Sequence, residues 1–127
     1  MFYRNIYKGD LFYLTVQEVL KILNGKLLYD ADTEQEILSV CGSDLMSDVL
    51  ASVRDHTALL TGLTNLQVIR TAEMMDISVI IFVRGKRPTD EVIQMGQERN
   101  ISLMFTSHTM FTTCGLLYEA GLRGDKA

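Results

Sequence analysis

The sequence predicts an α/β protein, a three-layer α/β/α sandwich with a mainly parallel central sheet. From residue 57 onwards, short apolar segments alternate with segments of helical periodicity, and the joints between them are short. Such an alternation implies right-handed crossovers between parallel strands. In addition, residues 79–83 read VIIFV and are apolar at consecutive positions. A strand without polar alternation is typical of a parallel sheet that is covered on both faces.

The first half of the chain is predicted to contribute two helices and two strands. Residues 15–23 form the first helix, because apolar side chains recur at helical spacing between a capping threonine and an Asn-Gly pair that can end the helix. Residues 26–29 and 37–41 are strand candidates, and they can be antiparallel or lie at an edge of the sheet. The second helix follows the cap residue Ser43. Its apolar stripe is Leu45, Val49, Leu50 and Val53.

The second half is predicted as three pairs of a strand and a helix. The strands are residues 57–61, 78–83 and 101–106, and the helices are residues 65–75, 89–99 and 109–120. Residues 1–13 differ, because they are rich in aromatic side chains and lack helical periodicity. We expect them to form an extended N-terminal arm that docks on this domain or on a neighbouring subunit, since exposed aromatic area is unfavourable in water. Residues 14–127 are predicted as a single domain.

Composition and charge restrict the class of protein. The chain has 127 residues, of which 47% are apolar and 22% charged, and it contains one proline and nine glycines. These values are ordinary for one globular domain and argue against a disordered chain. The formal net charge is −4. A protein that grips the phosphates of nucleic acid usually carries a basic excess, so we expect no nucleic-acid partner.

The cysteines and the apolar runs indicate the compartment. Cys41 and Cys114 lie far apart and form no CxxC motif, which suits two free thiols in a reducing compartment. No apolar run approaches the roughly 20 residues that a membrane-spanning helix needs. Residues 1–10 lack the continuous apolar core of a signal peptide. We therefore expect a cytoplasmic protein without a membrane partner.

Three loops that follow predicted strands are expected to meet at one edge of the sheet. They are residues 61–64, 84–88 and 106–109, and each precedes a helix N-terminus. In open parallel sheets, ligands bind beyond the carboxyl ends of the strands, and helix N-termini favour anions. The candidate ligand-binding residues are Thr61, Gly62, Thr64, Asn65, Arg84, Gly85, Lys86, Arg87, Thr106, Ser107, His108 and Thr109.

A structural interpretation of these same residues stays open beside the functional one. Threonine, serine and asparagine are the residue types expected at helix caps, and glycine is expected at turns, in any α/β protein. His108 can donate to a phosphate or a carboxylate, or it can be an ordinary loop histidine. The sequence alone does not separate these interpretations.

Motifs for metals, cofactors and common catalytic machinery are not found. His56, His108, Cys41 and Cys114 have no metal-ligand spacing, and the acids of residues 30–36 do not follow the calcium-loop pattern. The sequence contains no GxxxxGK[ST], GxGxxG or GxSxG motif. We expect no metal, no cofactor and no catalytic residue of the nucleotide-hydrolysing, dinucleotide-binding or esterase type.

Three segments resemble a known family. They read LLTGLTNLQVI (residues 59–69), IIFVRGKRPTDEVI (residues 80–93) and NISLMFTSHTMFTT (residues 100–113). With them, residues 32–121 resemble the DRTGG domain, a small bacterial and archaeal module that is similar to the N-terminal domain of HPr kinase/phosphorylase and to the first domain of some Mur ligases. The positions that fit the family pattern are Gly85, Pro88, Thr109 and Phe111.

Two departures from the family pattern concern its signature residues. The Asp-Arg pair of the family is expected after Gly62, where Thr64 and Asn65 stand. The Thr-Gly-Gly element is reduced to Val83-Arg84-Gly85. If the family binds through its acidic–basic pair, this chain has lost or changed that binding.

The resemblance implies a regulatory attachment, since DRTGG domains stand beside CBS-type nucleotide-sensing domains or are fused to metabolic enzymes. It brings no catalytic residues, and the kinase half of HPr kinase is not matched, so kinase activity is not expected. We expect a non-catalytic, homodimeric regulatory module that senses a small anionic ligand, such as a nucleotide, or docks on a metabolic enzyme or signalling protein. One alternative is a small enzyme with His108 as acid/base and Arg84, Lys86 or Arg87 as anion clamp. The other is a structural subunit of a larger assembly.

Overall fold

A central sheet organises the molecule, and the computed structural model describes residues 7–8, 11–52 and 55–124. The strands are β1 (Tyr7–Lys8), β2 (Leu11–Phe12), β3 (Leu14–Thr15), β4 (Lys26–Tyr29), β5 (Glu36–Ile37), β6 (Ser39–Gly42), β7 (Thr57–Thr61), β8 (Val79–Phe82) and β9 (Ser102–Phe105). The helices are α1 (Val16–Ile22), α2 (Met46–Ser52), α3 (Leu66–Met74), α4 (Asp90–Glu98) and α5 (Met110–Ala120). Within the described ranges, no helix has the length and apolar character needed to cross a bilayer.

Five strands form the central sheet in the order β4-β9-β8-β7-β6. The four strands β6 to β9 are parallel, and β4 runs antiparallel to β9 at one edge. Because β6 to β9 step in one direction, right-handed crossovers place α2, α3 and α4 on the same face. The helices α1 and α5 cover the opposite face, where they contact each other. The predicted three-layer sandwich with a mainly parallel sheet is confirmed.

Two apolar clusters fill the spaces between the layers. Strand β8 contributes to both, because Ile81 packs beneath α1 and α5 whereas Ile80 and Phe82 pack beneath α2, α3 and α4. All four residues of β8 are buried. The unbroken apolar run of the sequence therefore reflects coverage of both faces, as predicted.

The first helix and the strands around it follow local signals and long-range pairing. Thr15 caps α1, since its hydroxyl accepts from the Glu18 N–H at 3.2 Å and Glu18 Oε1 accepts from the Thr15 N–H at 3.2 Å. The predicted strand 37–41 is divided. Its first part, β5, pairs antiparallel with β3, and its second part, β6, joins the central sheet beside β7. The division falls where the N–H groups of Leu38 and Ser39 both turn to the His56 carbonyl.

The second helix differs from its prediction in its start and in its apolar face. α2 begins at Met46, and the Ser43 hydroxyl accepts from the Leu45 N–H at 3.0 Å in the turn before it. Val49 is buried, but Leu45 is 58% and Leu50 is 44% exposed, so the predicted inward stripe is wrong for both leucines. The fourth stripe residue, Val53, lies outside the described residues. A helix of seven residues at the border of the sheet buries only a narrow face.

The described part of the N-terminal segment forms a short antiparallel pair, β1 with β2. The ring of Phe12 packs on the apolar cluster beneath α1 and α5 and lies against Gly121, where a Cβ atom would be 2.6 Å from the ring. The remainder of the predicted arm, residues 1–6 and 9–10, lies outside the described residues. At the opposite end, the segment after α5 covers the outer edge of β6, because the Val40 N–H donates to the Arg123 carbonyl at 3.1 Å.

The contact between α4 and β9 tests the packing of the core. A Cβ atom on Gly96 would lie 2.5 Å from Cδ1 and 3.1 Å from Cγ of Leu103, which is fully buried. We expect Gly96→Ala to lower the free energy of unfolding by roughly 1–2 kcal/mol, since overpacking outweighs the gain of about 1 kcal/mol in helix propensity. Urea denaturation measures this difference. Gln97→Ala, on the exposed side of the same helix, is the control and should change stability by less than about 0.5 kcal/mol.

Candidate ligand-binding site

The helix face changes between β8 and β9, so the carboxyl ends of these two strands form a topological switch point. The chain passes from β8 into α4 on one face and from β9 into α5 on the other. Ligands of open α/β sheets bind outside the strand ends at such a switch point. The loops that flank it here are residues 84–88 and 106–109, two of the three loops named by sequence.

Backbone hydrogen bonds join these two loops. The Arg84 N–H donates to the His108 carbonyl at 2.7 Å, and the Gly85 N–H donates to the Thr106 carbonyl at 2.8 Å. Arg84 and Gly85 both have left-handed backbone, with φ of 64° and 68°. This conformation is free for glycine, but it costs roughly 1–2 kcal/mol for a residue with a Cβ atom such as arginine. Non-glycine strain of this kind clusters at functional sites.

Asp44 connects the carboxyl ends of β6 and β7 to the loop that contains Arg84. Its Oδ1 atom accepts from the Gly62 N–H at 2.6 Å and from the Thr61 hydroxyl at 3.1 Å. Its Oδ2 atom lies 3.8 Å from Nη2 of Arg84. Sequence reasoning missed this residue, although one signal was present. Asp44 follows the end of β6, which is a fourth parallel strand ending at the same edge.

The Arg84 guanidinium lies directly over the Gly62 backbone. A Cβ atom on Gly62 would overlap the guanidinium group, so only glycine leaves room for this arrangement. The side chains of Arg84 and Asp44 are each 47% exposed, and the ion pair is therefore open to solvent. The chain thus holds an acidic–basic pair at this edge, assembled from two distant loops, while the Thr64 and Asn65 positions after Gly62 are uncharged.

Several predicted site residues are engaged within the fold. The Asn65 side chain accepts from the Val68 N–H, and Thr109 Oγ1 accepts from the Thr112 N–H, so both cap helices. The Thr106 hydroxyl donates to the Leu23 carbonyl at 2.8 Å and is buried. Thr61 is buried and bound to Asp44. The hydroxyl and amide groups of these four residues thus already have hydrogen-bond partners within the fold.

Other predicted site residues have polar groups that face solvent. Lys86 and Ser107 are exposed and His108 is half-buried, and no side-chain hydrogen bond or ion pair joins them to other parts of the described chain. Arg87 is turned away, because its Nη1 atom lies 3.4 Å from Asp90 Oδ1 and donates to the Pro88 carbonyl. Of the three residues predicted as alternative anion clamps, Arg87 is thus engaged at the start of α4, whereas Arg84 and Lys86 are not. Thr64 is partly buried in the loop after β7.

The cysteines are free thiols on the strand β6 and the helix α5. Burial raises the pKa of the Cys41 thiol, and Asp48 and Cys114 raise it further. Burial also raises the pKa of Cys114. Both thiols thus stay protonated at neutral pH, where a thiol is a poor nucleophile. Among the described residues, no group of three or more His, Cys, Asp or Glu side chains is placed to hold a metal ion.

The architecture defines a class, the small three-layer α/β domains whose loops gather at the carboxyl edge of a parallel sheet. A family model described as the DRTGG domain matches residues 18–120. The chain belongs to the DRTGG domain family. The match starts within α1 and so includes most of α1 and all of β4, which lie before the segment where the sequence showed the resemblance. No curated protein matches the sequence.

A solved structure has the same fold. It is the crystal structure of the CBS and DRTGG domains of the regulatory region of Clostridium perfringens pyrophosphatase, complexed with the activator diadenosine tetraphosphate. The TM-score is 0.69 at 16% sequence identity, and the match covers 80% of this chain and 45% of that chain. This protein thus spans less than half of the length of that regulatory region. At such an identity the similarity establishes the fold.

Removal of the Asp44 carboxylate should loosen the edge of the sheet. We expect Asp44→Ala to lower the free energy of unfolding by about 1–2 kcal/mol, because the Gly62 N–H and the Thr61 hydroxyl lose a charged acceptor. Asp44→Asn keeps an acceptor oxygen and should lose about half as much. Chemical denaturation of the two variants measures this order, and equal losses would contradict the assigned hydrogen bonds.

The raised thiol pKa values predict slow alkylation. With iodoacetamide at pH 8, Cys41 and Cys114 should react several-fold more slowly than a free cysteine in a short peptide, whose thiol pKa is about 8.5. The rates should approach the peptide rate only at higher pH, since the thiolate of the folded protein forms there. Mass spectrometry of the two cysteine peptides across a pH series gives the rates. A rate equal to that of the peptide at pH 8 would contradict the burial.

Proposed function

We propose that the chain is a non-catalytic regulatory module that binds a small anionic ligand at the edge formed by Arg84, Asp44 and Gly62. One observation carries this proposal. Arg84 is held in a strained backbone conformation, and its guanidinium is laid over Gly62 in a solvent-open ion pair. Nothing in the packing of the core requires an arginine at this exposed position.

Arg84 is suited to exchange its partner Asp44 for an anionic ligand. At 3.8 Å and with both side chains half-exposed, the Arg84–Asp44 pair contributes about 0–1 kcal/mol. A phosphate or carboxylate that binds the guanidinium in bidentate fashion forms shorter, charge-assisted hydrogen bonds. An anionic ligand therefore displaces Asp44 from Arg84 at little cost.

Neighbouring groups supply further donors to such a ligand. The loop of Arg84 also carries Lys86, and the neighbouring loop carries Ser107 and His108. The side chains of these three residues have no hydrogen-bond or ion-pair partner among the described residues. The N-terminus of α5 follows the second of these loops, has no acidic residue in its first turn, and adds the positive end of a helix dipole. The ligand class that fits these donors is a compact anion with several oxygen atoms.

The family supports a regulatory role and suggests nucleotides as candidates. The regulatory region of the Clostridium perfringens pyrophosphatase is complexed with a dinucleoside polyphosphate activator. A nucleotide carries the phosphate oxygens that Arg84 and Lys86 recognise, so adenine nucleotides are the first compounds to test. The binding residues proposed for this chain rest on its own geometry.

Asp44 provides the route from ligand to partner. It also holds Gly62 and Thr61, so its release from Arg84 changes the charge and the hydrogen bonding of the loops after β6 and β7. A metabolic enzyme or signalling protein docked near these loops would sense that change. The expected setting is the cytoplasm, where the two free thiols remain reduced.

Thermal-shift measurements with adenine nucleotides, diadenosine tetraphosphate and inorganic polyphosphate test the proposal. A ligand at about 100 times its Kd stabilises the folded state by about 2.7 kcal/mol. Arg84→Ala and Lys86→Ala should each raise the Kd roughly tenfold or more, since each removes a charge-assisted contact. Arg70→Ala removes another exposed cation, from α3 and away from the loops, and should leave the Kd unchanged.

The outcomes separate the competing functions. Equal loss of binding in Arg84→Ala and Arg70→Ala would show that binding depends on the overall charge of the protein, and it would contradict the proposed site. Turnover of a bound compound that His108→Ala abolishes would identify an enzyme instead. No shift with any anion, together with a stable complex with a cellular protein, would identify a structural subunit.

A further inference from the structure

The outer face of α5 is apolar at both of its ends and open in its middle. Phe111 is 87% exposed and Tyr118 is 61% exposed. Between them, Gly115 has no atom within 4 Å of the position that a Cβ would take. These three residues are spaced by four and three positions, so they lie on one side of the helix.

The inner face of α5 is already used. Leu117 and Ala120 are buried in the cluster beneath α1, and Met110, Cys114 and Leu116 pack against that cluster. A helix that is apolar on both its inner and its outer side is typical of a helix covered by two partners. The sheet and α1 account for one of these partners only.

We propose that a second copy of this chain packs its α5 antiparallel across Gly115, and that α5 is the interface of a homodimer. The midpoint between Phe111 and Tyr118 falls between Cys114 and Gly115, so the glycine lies beside the crossing point. A two-fold axis there places Phe111 of each copy beside Tyr118 of the other. The absent side chain of Gly115 allows the two helix axes to approach to about 8 Å, the lower limit for helix pairs.

The charges of this face favour a second copy in the antiparallel direction. Glu119 is exposed in the last turn of α5, and at the same helix end Arg123 Nη1 donates to the Tyr118 carbonyl at 2.9 Å. The antiparallel arrangement brings Glu119 to the first turn of the other α5. There the free N–H groups and the exposed Thr112 hydroxyl can donate to it. Glu119 is therefore complementary to the helix end that the antiparallel arrangement sets opposite to it.

A cavity beside Tyr118 can receive the opposing phenylalanine. It has a volume of about 190 Å³ and is lined by Val40, Cys114, Leu117, Tyr118, Leu122 and Arg123, among others. Arg123 lies over the Tyr118 ring at 3.7 Å from its centroid and fixes the ring in place. In the proposed dimer, the Phe111 ring of the other copy packs against the Tyr118 ring, and aromatic pairs of this kind are common anchors of interfaces.

Sedimentation equilibrium of the full chain, over a range of protein concentrations without ligand, is the first test. We expect a reversible monomer–dimer equilibrium. Gly115→Gln should raise the dimer dissociation constant by roughly 100-fold, because two glutamines fill the crossing point. Its monomer should be no less stable at high dilution, since glutamine is the better helix former and meets nothing within 4 Å. Met74→Glu, at a residue 68% exposed on α3, is the matched control and should leave the dissociation constant unchanged.

A charge-swap experiment tests the direction of the helices. Phe111→Glu and Tyr118→Lys should each weaken self-association. When the two variants are mixed, the antiparallel arrangement sets the introduced carboxylate of one copy against the introduced ammonium of the other, and keeps one native Phe111–Tyr118 contact. The mixture should therefore recover a heterodimer with a dissociation constant within roughly tenfold of the native value.

Each contrary result overturns the interface. A protein that stays monomeric at the highest concentration has another occupant on this face or none. A dimer that is as tight in Gly115→Gln as in the native chain is formed elsewhere. A mixture of the charge-swapped chains that stays monomeric, with both chains folded by circular dichroism, excludes the antiparallel crossing.

Discussion

Strand β8 must be covered on both faces, and the architecture follows from that requirement. Its residues alternate between the two apolar clusters, and all are buried. Because β6 to β9 advance in one direction, their crossover helices accumulate on one side. The other side is covered only because α1 and α5, from the two ends of the sheet-forming sequence, turn onto it. The helix after β9 therefore lies on the face opposite to the crossover helices, and this change of face sets the switch point beside Arg84.

The second half of the fold was predictable because its signals are local. Apolar runs, capping residues such as Asn65 and Thr109, and short joints specify each element and its neighbour in sequence. The first half was less accessible, because residues 36–42 are continuous in sequence but belong to two ladders. Whether Ile37 or Val40 joins the central sheet depends on Leu14 and Ala58, which are distant in the chain. No local sequence pattern therefore predicts which of these two residues joins the central sheet.

The location of the candidate site followed from topology, but the division of roles within it did not. Parallel strands that end together bring their loops together, so residues 84–88 and 106–109 could be placed beforehand. The partners of Thr106 and Arg84 could not, because Leu23 and Asp44 are far from them in sequence. The hydroxyl that caps a helix and the hydroxyl that binds a ligand both come from serine or threonine. Only the spatial arrangement tells them apart.

The carbonyl of Arg123 has a protective role at the border of the sheet. Strand β6 is the outermost parallel strand, and the Val40 N–H is satisfied only by the segment that follows α5. An apolar border strand with unpaired backbone groups is a template for strand addition by other chains. The residues after α5 thus protect the edge of the sheet from cross-β association. Their detachment would expose the backbone of β6, and a strand of another chain could then pair with it.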